Sequence, residues 1–137
     1  MHSMTDRDTA LLQLRPQIPT IKDALATSPI EMFHHRSLRP VLKLQNDLLV
    51  QAFLRYTKKY KGVFQQSSRQ QKQAYIERAV QKDLRFREWM MGLIVGQFSM
   101  EEWDFYSQHE AELRKRISRM LIQRLVDQLL DKSASKD

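Results

Sequence analysis

The longest stretch with a single apolar periodicity runs from residue 38 to residue 60. Its apolar residues recur at intervals of three, four and seven positions, and most of its charged residues fall between them. Such spacing describes one wide face of an α-helix. Because a face this broad must be covered by other helices, we expect this helix to be the centre of the fold. The apolar positions are Leu38, Val41, Leu42, Leu48, Leu49, Ala52, Phe53, Tyr56 and Tyr60.

Four serines precede the other periodic segments and predict where helices begin. They are Ser28, Ser68, Ser99 and Ser107, and each is followed three residues later by Glu or Gln. A serine in this position accepts a hydrogen bond from an unpaired N–H of the first turn, and the Glu or Gln side chain can accept one in return. The agreement between these starts and the apolar periods favours a helical chain throughout.

Three further features complete the predicted bundle. Pro40 removes a backbone hydrogen bond and clashes with the carbonyl four residues earlier, so we expect a kinked central helix, or two helices meeting, around Pro40. Gly62 follows a basic turn and predicts the end of that helix. Residues 84–98 are apolar on almost every side, which is typical of a covered helix, and Asp83 either continues the helix before them or caps a new one. The prediction is an all-α fold, a compact bundle of five or six helices in a domain of residues 28–131.

Both ends of the chain are expected to differ from the bundle. Residues 1–27 contain two prolines, which favour extended backbone in the residues before them, so we predict an extended N-terminal arm. The arm is too apolar for a free tail. It therefore lies either across the protein's own helices or across a second subunit. Residues 132–137 are polar and are predicted to form a disordered tail.

Composition excludes several classes of protein. The chain has 137 residues, which suits one domain, with 42% hydrophobic and 28% charged residues. The absence of cysteine excludes disulfides, thiol catalysis and thiolate metal sites. The first residues lack the basic-then-apolar order of a signal peptide, and the longest apolar run is about half of the ~20 residues that span a membrane. We therefore expect a cytoplasmic protein with no membrane partner.

The net charge of +7 is concentrated in one part of the chain. Residues 37–82 carry ten basic and two acidic residues, whereas residues 83–106 carry two basic and five acidic ones. The densest basic cluster includes Tyr56 and Tyr60 between its cations, and it fits an anionic partner, nucleic acid first. The alternative is a solvated face that complements a helix dipole, with both tyrosines buried. The candidate residues are Arg55, Lys58, Lys59, Lys61, Arg69 and Lys72.

The sequence offers little material for a metal or catalytic site. His34 and His35 point about 100° apart on a helix, so they do not converge on one metal, and we expect neither metal nor cofactor. Asp47 is one of two acids in the basic segment and is expected to pair with an arginine. A catalytic role would need a second convergent group, and the pattern supplies none, so no catalytic residue is predicted.

Two features of the apolar segments predict specific packing. Gly92 and Gly96 have the small-residue spacing that lets two helices approach closely. Gln45 occupies a position that the apolar period of the central helix would fill. Because a buried amide must be hydrogen-bonded, we expect Gln45 to meet a backbone group, a side chain or a water.

Four segments of the chain carry a resemblance to known proteins. They are LRPVLKLQNDLL from Leu38, YIE from Tyr75, GLIVGQFSMEE from Gly92 and IQRL from Ile122. These segments resemble a small family of helical proteins from Bacteroidetes-type bacteria, whose members often carry the label glyoxalase. The resemblance covers roughly residues 10–130 and implies a bacterial cytoplasmic origin. It implies no site residue, because glyoxalase-type enzymes use βαβββ modules with His and Glu metal ligands on strands, and this sequence predicts neither.

Three hypotheses about function follow. The first is a non-enzymatic interaction module, a homodimer that binds another protein, because the apolar arm and the last helix offer much hydrophobic surface for so short a chain. The second is a nucleic-acid-associated protein that uses the basic patch at residues 55–72. The third is an enzyme or small-molecule binding protein with a pocket between Trp89, Trp103 and the central helix.

Overall fold

A computed structural model describes the protein over residues 3–18, 28–60 and 62–131. Within these ranges the fold is all-α and contains no β-strand, which confirms the predicted class. The helices are α1 (Asp6–Leu14), α2 (Pro29–Phe33), α3 (Arg39–Thr57), α4 (Val63–Gln66), α5 (Arg69–Lys82), α6 (Leu84–Val95), α7 (Met100–Gln108) and α8 (Glu110–Leu129).

A π-helical turn, His34–Leu38, joins α2 to α3 in one continuous run of helix. The backbone N–H of Arg39 donates to the carbonyl of His34, five residues earlier. Pro40 in the first turn of α3 has no N–H to donate, and its ring needs space beside the carbonyl of Arg36. A π turn is wider than an α turn and provides that space. The predicted kink at Pro40 is therefore confirmed, and it takes the form of a π turn.

The helix α3 is the centre of the bundle, as its apolar pattern predicts. It packs against α6 and α8, and α5 packs against the same two helices. Val41, Leu42, Leu49 and Phe53 are almost completely buried. Each such side chain contributes about 1.5–3 kcal/mol by removing apolar surface from water. Leu48 departs from the pattern, because it is 49% exposed.

Most of the predicted helix starts are confirmed by their hydrogen bonds. Ser28, Ser68 and Ser99 each accept from the backbone N–H three residues on. After Ser68 and Ser99 the side chain three residues on accepts from the serine's own N–H, which completes a capping box. Asp83 caps α6 through its side chain, so a new helix begins there.

The start predicted at Ser107 is wrong. The helix α7 continues through Gln108, and α8 begins at Glu110 after a break at His109. The N–H of His109 still donates to the carbonyl of Phe105, so helical hydrogen bonding passes Ser107 without interruption. The sequence Ser-x-x-Glu is a capping signal only where the preceding residues have stopped being helical.

The central helix ends at Thr57, before the end predicted at Gly62. After α3 a 3₁₀ turn, Lys58–Tyr60, leads towards Gly62, whose φ of 85° lies in the left-handed region that glycine adopts without strain. After this turn, the side chain of Phe64 in α4 is buried in the core. As a result Lys58 and Lys59 stand at the exposed end of the central helix.

The prediction of a wholly extended N-terminal arm over residues 1–27 is wrong. Residues Asp6–Leu14 form α1, and Thr5 and Asp8 begin it with a capping box. Extended backbone flanks this helix, at Thr5 before it and at Arg15 directly before the first proline. The prolines therefore end a helix rather than prevent one. Residues 19–27 of the predicted arm and the predicted tail, 132–137, lie outside the described residues.

The helix α1 lies against its own chain through polar contacts. The guanidinium of Arg7 donates to the carbonyls of Gly96 and Phe98, and the carboxylate of Asp8 accepts from the N–H of Met100. These contacts satisfy backbone groups at the end of α6 and the start of α7, which have no helical partner. For residues 3–18, the structure therefore places the predicted arm on the protein's own helices.

Candidate functional site

A groove of about 600 Å³ lies between the end of α3 and the start of α6. Three of its cations come from the end of α3 and the 3₁₀ turn after it, and the fourth comes from the first turn of α6. All four are exposed. The described residues that line the groove include no carboxylate. The lining is Arg55, Tyr56, Lys58, Lys59, Arg85, Phe86 and Trp89.

The local sequence explains why these side chains meet. Arg55 and Lys58 are three residues apart, so they project from one face of the chain at the end of α3. Arg85 and Trp89 are four residues apart and share a face of α6. Because α6 begins at its Asp83 cap, its first turn lies beside the last turn of the central helix.

A set of hydrogen bonds at Asp83, which does not itself line the groove, holds the two sides of the groove together. The hydroxyl of Tyr56 donates to the carboxylate of Asp83 at 2.7 Å, and that carboxylate also accepts from the N–H of Phe86 at 3.1 Å. These two bonds, the Tyr56 bond foremost, hold the pKa of Asp83 below its usual value despite partial burial, with a further contribution from Lys59. Asp83 therefore stays ionised and fixes the end of α3 against the start of α6.

The structure brings together only part of the predicted basic cluster. Arg55, Lys58 and Lys59 line the groove, whereas Arg69 forms an ion pair with Asp131 at 2.6 Å. That hydrogen bond raises the pKa of Arg69. Lys72 lies elsewhere, with its ammonium 5.6 Å from the ring centroid of Phe64. Lys61 lies outside the described residues, as does the side chain of Tyr60. Tyr56 is buried, as the alternative interpretation of the cluster predicts.

Arg85 was not predicted for the groove, and Trp89 was predicted only in the third hypothesis, as part of a pocket with Trp103, which does not line this groove. Residues 84–98 were expected to be a covered helix, but Leu84 is exposed and Trp89 is 46% exposed. The expectation of a fully covered helix is therefore wrong for its outer face. The sequence contained one indication of this face. If a helix begins at Asp83, Arg85 and Trp89 lie on the same side of it.

A second basic groove, of about 780 Å³, lies between α6 and α8. Arg87, Arg114, Lys115 and Arg119 line it together with Glu110. Its cations are already engaged in part, because Arg114 forms an ion pair with Glu88 and Arg87 lies 3.8 Å from the same carboxylate. In contrast, the cations of the groove at Trp89 form no ion pair among the described residues, although Lys59 lies close enough to Asp83 to help lower its pKa.

The most buried ionic cluster of the described residues is structural. The guanidinium of Arg15 binds both carboxylate oxygens of Glu102 at 2.6 Å, and the same carboxylate accepts from the Ser37 hydroxyl and the N–H of Ser99. Burial raises the pKa of Glu102, but these hydrogen bonds outweigh it and hold the pKa below its usual value. With every oxygen occupied, Glu102 is poorly placed to accept a substrate proton. We call this cluster the Arg15–Glu102 clasp.

The two adjacent histidines contact each other, and one of them faces an arginine. Their rings meet edge to face at 4.9 Å across the π turn, and His34 faces the guanidinium of Arg116 at 3.3 Å. Burial, followed by the charges of Arg116 and His35, lowers the pKa of His34 to about 4. Among the described residues no group of three or more His, Cys, Asp or Glu side chains could hold a metal ion.

The remaining polar predictions have mixed outcomes. Gln45 donates to the carbonyl of Leu93 at 2.7 Å, as expected of a partly buried amide. Asp47 was expected to pair with an arginine, but here Asn46 lies between the two. Arg124 donates to Asn46 at 3.0 Å, and Asn46 donates to Asp47 at 3.2 Å.

Gly92 and Gly96 do not mediate close packing within the described residues. A Cβ atom at Gly92 would meet no atom within 4 Å, and a Cβ atom at Gly96 would meet only the carbonyl of Gly92 in its own helix. Both positions are exposed. The prediction of a tight helix contact at these glycines is therefore wrong for this part of the chain.

Comparison with known proteins gives no further information, since no protein-family model, no curated protein and no solved structure matches the chain. The resemblance to a bacterial helical family stays a prediction. No described helix combines the length and apolar character needed to cross a membrane.

Proposed function

We propose that this protein is a non-enzymatic binding module whose partner is a nucleic acid, held at the groove lined by Arg55, Lys58, Lys59 and Arg85. The observation that carries the proposal is that these four exposed cations converge from the end of α3, the 3₁₀ turn after it and the start of α6, and form no ion pair among the described residues. Phosphate groups along a nucleic-acid backbone are the repeating anions that such a set neutralises.

The arrangement makes a quantitative prediction about salt. If the four cations each displace a counterion from a single strand, the logarithm of the association constant falls with the logarithm of salt concentration with a slope of about −3. Removal of two contacts halves that slope to about −1.5. If the protein were attracted to nucleic acid only by its net charge, any two charge reversals would reduce its affinity equally, wherever they lie in the chain.

The test compares two double charge reversals of equal net effect. K58E/K59E removes two cations of the groove, and K115E/R119E removes two exposed cations that line the second basic groove. Fluorescence anisotropy with labelled single- and double-stranded oligonucleotides, at low salt and at about 0.15 M salt, measures each affinity. We expect K58E/K59E to weaken binding at least tenfold and to flatten the salt dependence, with K115E/R119E close to the wild type. Absence of binding at low salt, or equal loss in both variants, would overturn the proposal.

A second candidate, a homodimeric interaction module that binds a further protein, is favoured by the helix α1. This helix turns polar residues inward, with Asp8 buried, and leaves Leu12 and Leu14 exposed. An amphipathic helix usually does the reverse, so its outer face is available to a second copy of the chain.

Light scattering tests the homodimer directly. The variant L12S/L14S keeps the polar contacts of α1 with the rest of the chain and changes only the outer apolar face. A dimer mass for the wild type and a monomer mass for this variant would support the second candidate. A monomer mass for the wild type would overturn it.

A further inference from the structure

The groove contains an aromatic side chain whose exposure no contact within the described residues explains. Trp89 projects from α6 one turn after Arg85 and is 46% exposed. Its T-shaped contact with Phe86, with ring centroids 6.3 Å apart, occupies at most one of the two faces of the indole. A large apolar side chain in contact with water in a basic groove costs hydrophobic stabilisation unless a ligand covers it.

The residues below Trp89 hold it in place. Phe86 is buried, and its ring lies 4.3 Å from that of Tyr56 between centroids. Tyr56 is fixed in turn by its hydrogen bond to Asp83. The indole therefore packs on aromatic side chains that are themselves held in place. Stacking of a ligand on it costs little of the side-chain entropy of Trp89.

The position three residues after Trp89 on α6 carries no side chain. Gly92 is exposed and would have no atom within 4 Å of an added Cβ. A glycine inside a helix costs about 1 kcal/mol relative to alanine, and no neighbour in the described residues requires it here. The helix face that Trp89 and Gly92 share is therefore open at this end.

We infer that the groove takes single-stranded nucleic acid, with one base stacked on Trp89 and the adjoining phosphates bound by Lys58, Lys59 and Arg85. This inference rests on the proposed function and adds the strandedness of the ligand. A single strand presents the faces of its bases, and base–aromatic stacking is the usual contact in such grooves. In a duplex those faces are covered by neighbouring base pairs, so only the phosphates remain for the cations.

The two tryptophans of the chain allow a matched experiment. In W103F the only tryptophan is Trp89, and in W89F the only tryptophan is Trp103, which is 45% exposed on α7. Each variant is titrated with oligo(dT) of about 16 nucleotides and with a duplex of the same length. We expect oligo(dT) to quench the fluorescence of W103F strongly and to leave W89F unchanged. The duplex is expected to quench neither.

Affinity gives a second readout that does not depend on fluorescence of the protein. W89A should bind labelled oligo(dT) about tenfold more weakly and the duplex with unchanged affinity, whereas W89F, which keeps a ring, should lie nearer the wild type. W103A should match the wild type for both ligands.

The outcomes separate the two claims. Binding that depends on Lys58 and Lys59 but not on Trp89, without quenching in W103F, would overturn the stacking inference and leave the proposed function intact. Absence of all binding would overturn both. Equal weakening of duplex and single strand in W89A would also contradict stacking, because it would show that Trp89 only supports the position of the cations.

Discussion

The groove at Trp89 and the Arg15–Glu102 clasp show two opposite uses of charge in one small protein. In the clasp, the guanidinium of Arg15 is nearly buried, with 7% of its side chain exposed, and both oxygens of Glu102 accept hydrogen bonds from within the chain. In the groove, Lys58, Lys59 and Arg85 are exposed and form no ion pair among the described residues. Paired, buried charges hold the fold together, whereas unpaired, exposed charges are available to a partner.

The two tryptophans sharpen the same comparison. Trp89 and Trp103 are exposed to nearly the same extent, 46% and 45%. Trp89 lies among cations, but Trp103 packs on Tyr106, with ring centroids 5.8 Å apart, on a helix that begins with Glu101 and Glu102. Exposure of an aromatic ring therefore does not identify a binding site by itself. The charge of the neighbouring side chains separates the two positions.

The largest expected effect comes from breaking the clasp. Glu102→Ala leaves Arg15 as a buried cation without its carboxylate and removes the capping partner of Ser99. Loss of one partner from a buried ion pair costs about 3–5 kcal/mol, so urea unfolding should show a large decrease in the free energy of unfolding.

Glu101→Ala is the matched control for the clasp, because it removes an exposed carboxylate from the same turn of α7. It should change the free energy of unfolding by no more than about 0.5 kcal/mol. If both variants changed the free energy of unfolding equally little, the clasp would not be a stabilising element of the fold.

As pH falls, the fold should lose stability through His34 before it loses stability through the clasp. The pKa of His34 is lowered to about 4, from an unfolded value of 6.5, by burial and then by the charges of Arg116 and His35, against which Glu31 has the opposite effect. Between these two values the unfolded chain binds a proton that the folded chain does not, so stability is present above pH 6.5 and falls as pH falls towards 4.

The variant His34→Asn separates this loss from that of the clasp. It should flatten the stability curve over the range between pH 6.5 and about 4. The lowered pKa of Glu102 produces a further loss only as pH falls below the usual carboxyl value of 4.5, and this loss should persist in the variant. Thermal melts across pH measure both. An unchanged slope in His34→Asn would show that His34 is not the group responsible.

The fold could be predicted from the sequence where local chemistry decides it. Ser68 and Ser99 start helices because each cap is completed by a side chain three residues away. Prediction failed at α1, where a capping box between Thr5 and Asp8 was present but the nearby prolines outweighed it. The helix also depends on Asp8 meeting the N–H of Met100, a contact across 92 residues that no local pattern contains.

The candidate site was predictable only on one of its two sides. Arg55, Lys58 and Lys59 form a visible cluster because they are close in sequence. Arg85 and Trp89 join them through the packing of α6 on α3, which is long-range information. Long-range packing also engages Arg69 elsewhere, since α5 packs on α8 and Arg69 pairs with Asp131 just after α8.

The smallest expected effect tests whether Gly92, on the same helix as Trp89, lowers the free energy of unfolding. Gly92→Ala should raise the free energy of unfolding by about 0.5–1 kcal/mol, because an exposed helical position with open space around its Cβ gains from alanine. Gly96→Ala is the contrasting control, since its Cβ would lie 2.9 Å from the carbonyl of Gly92 and should destabilise the end of α6. Denaturant melts that ranked the two glycines the other way would show that Gly92 has a structural purpose. The absence of a side chain at Gly92 would then no longer count in favour of a ligand on this face of α6.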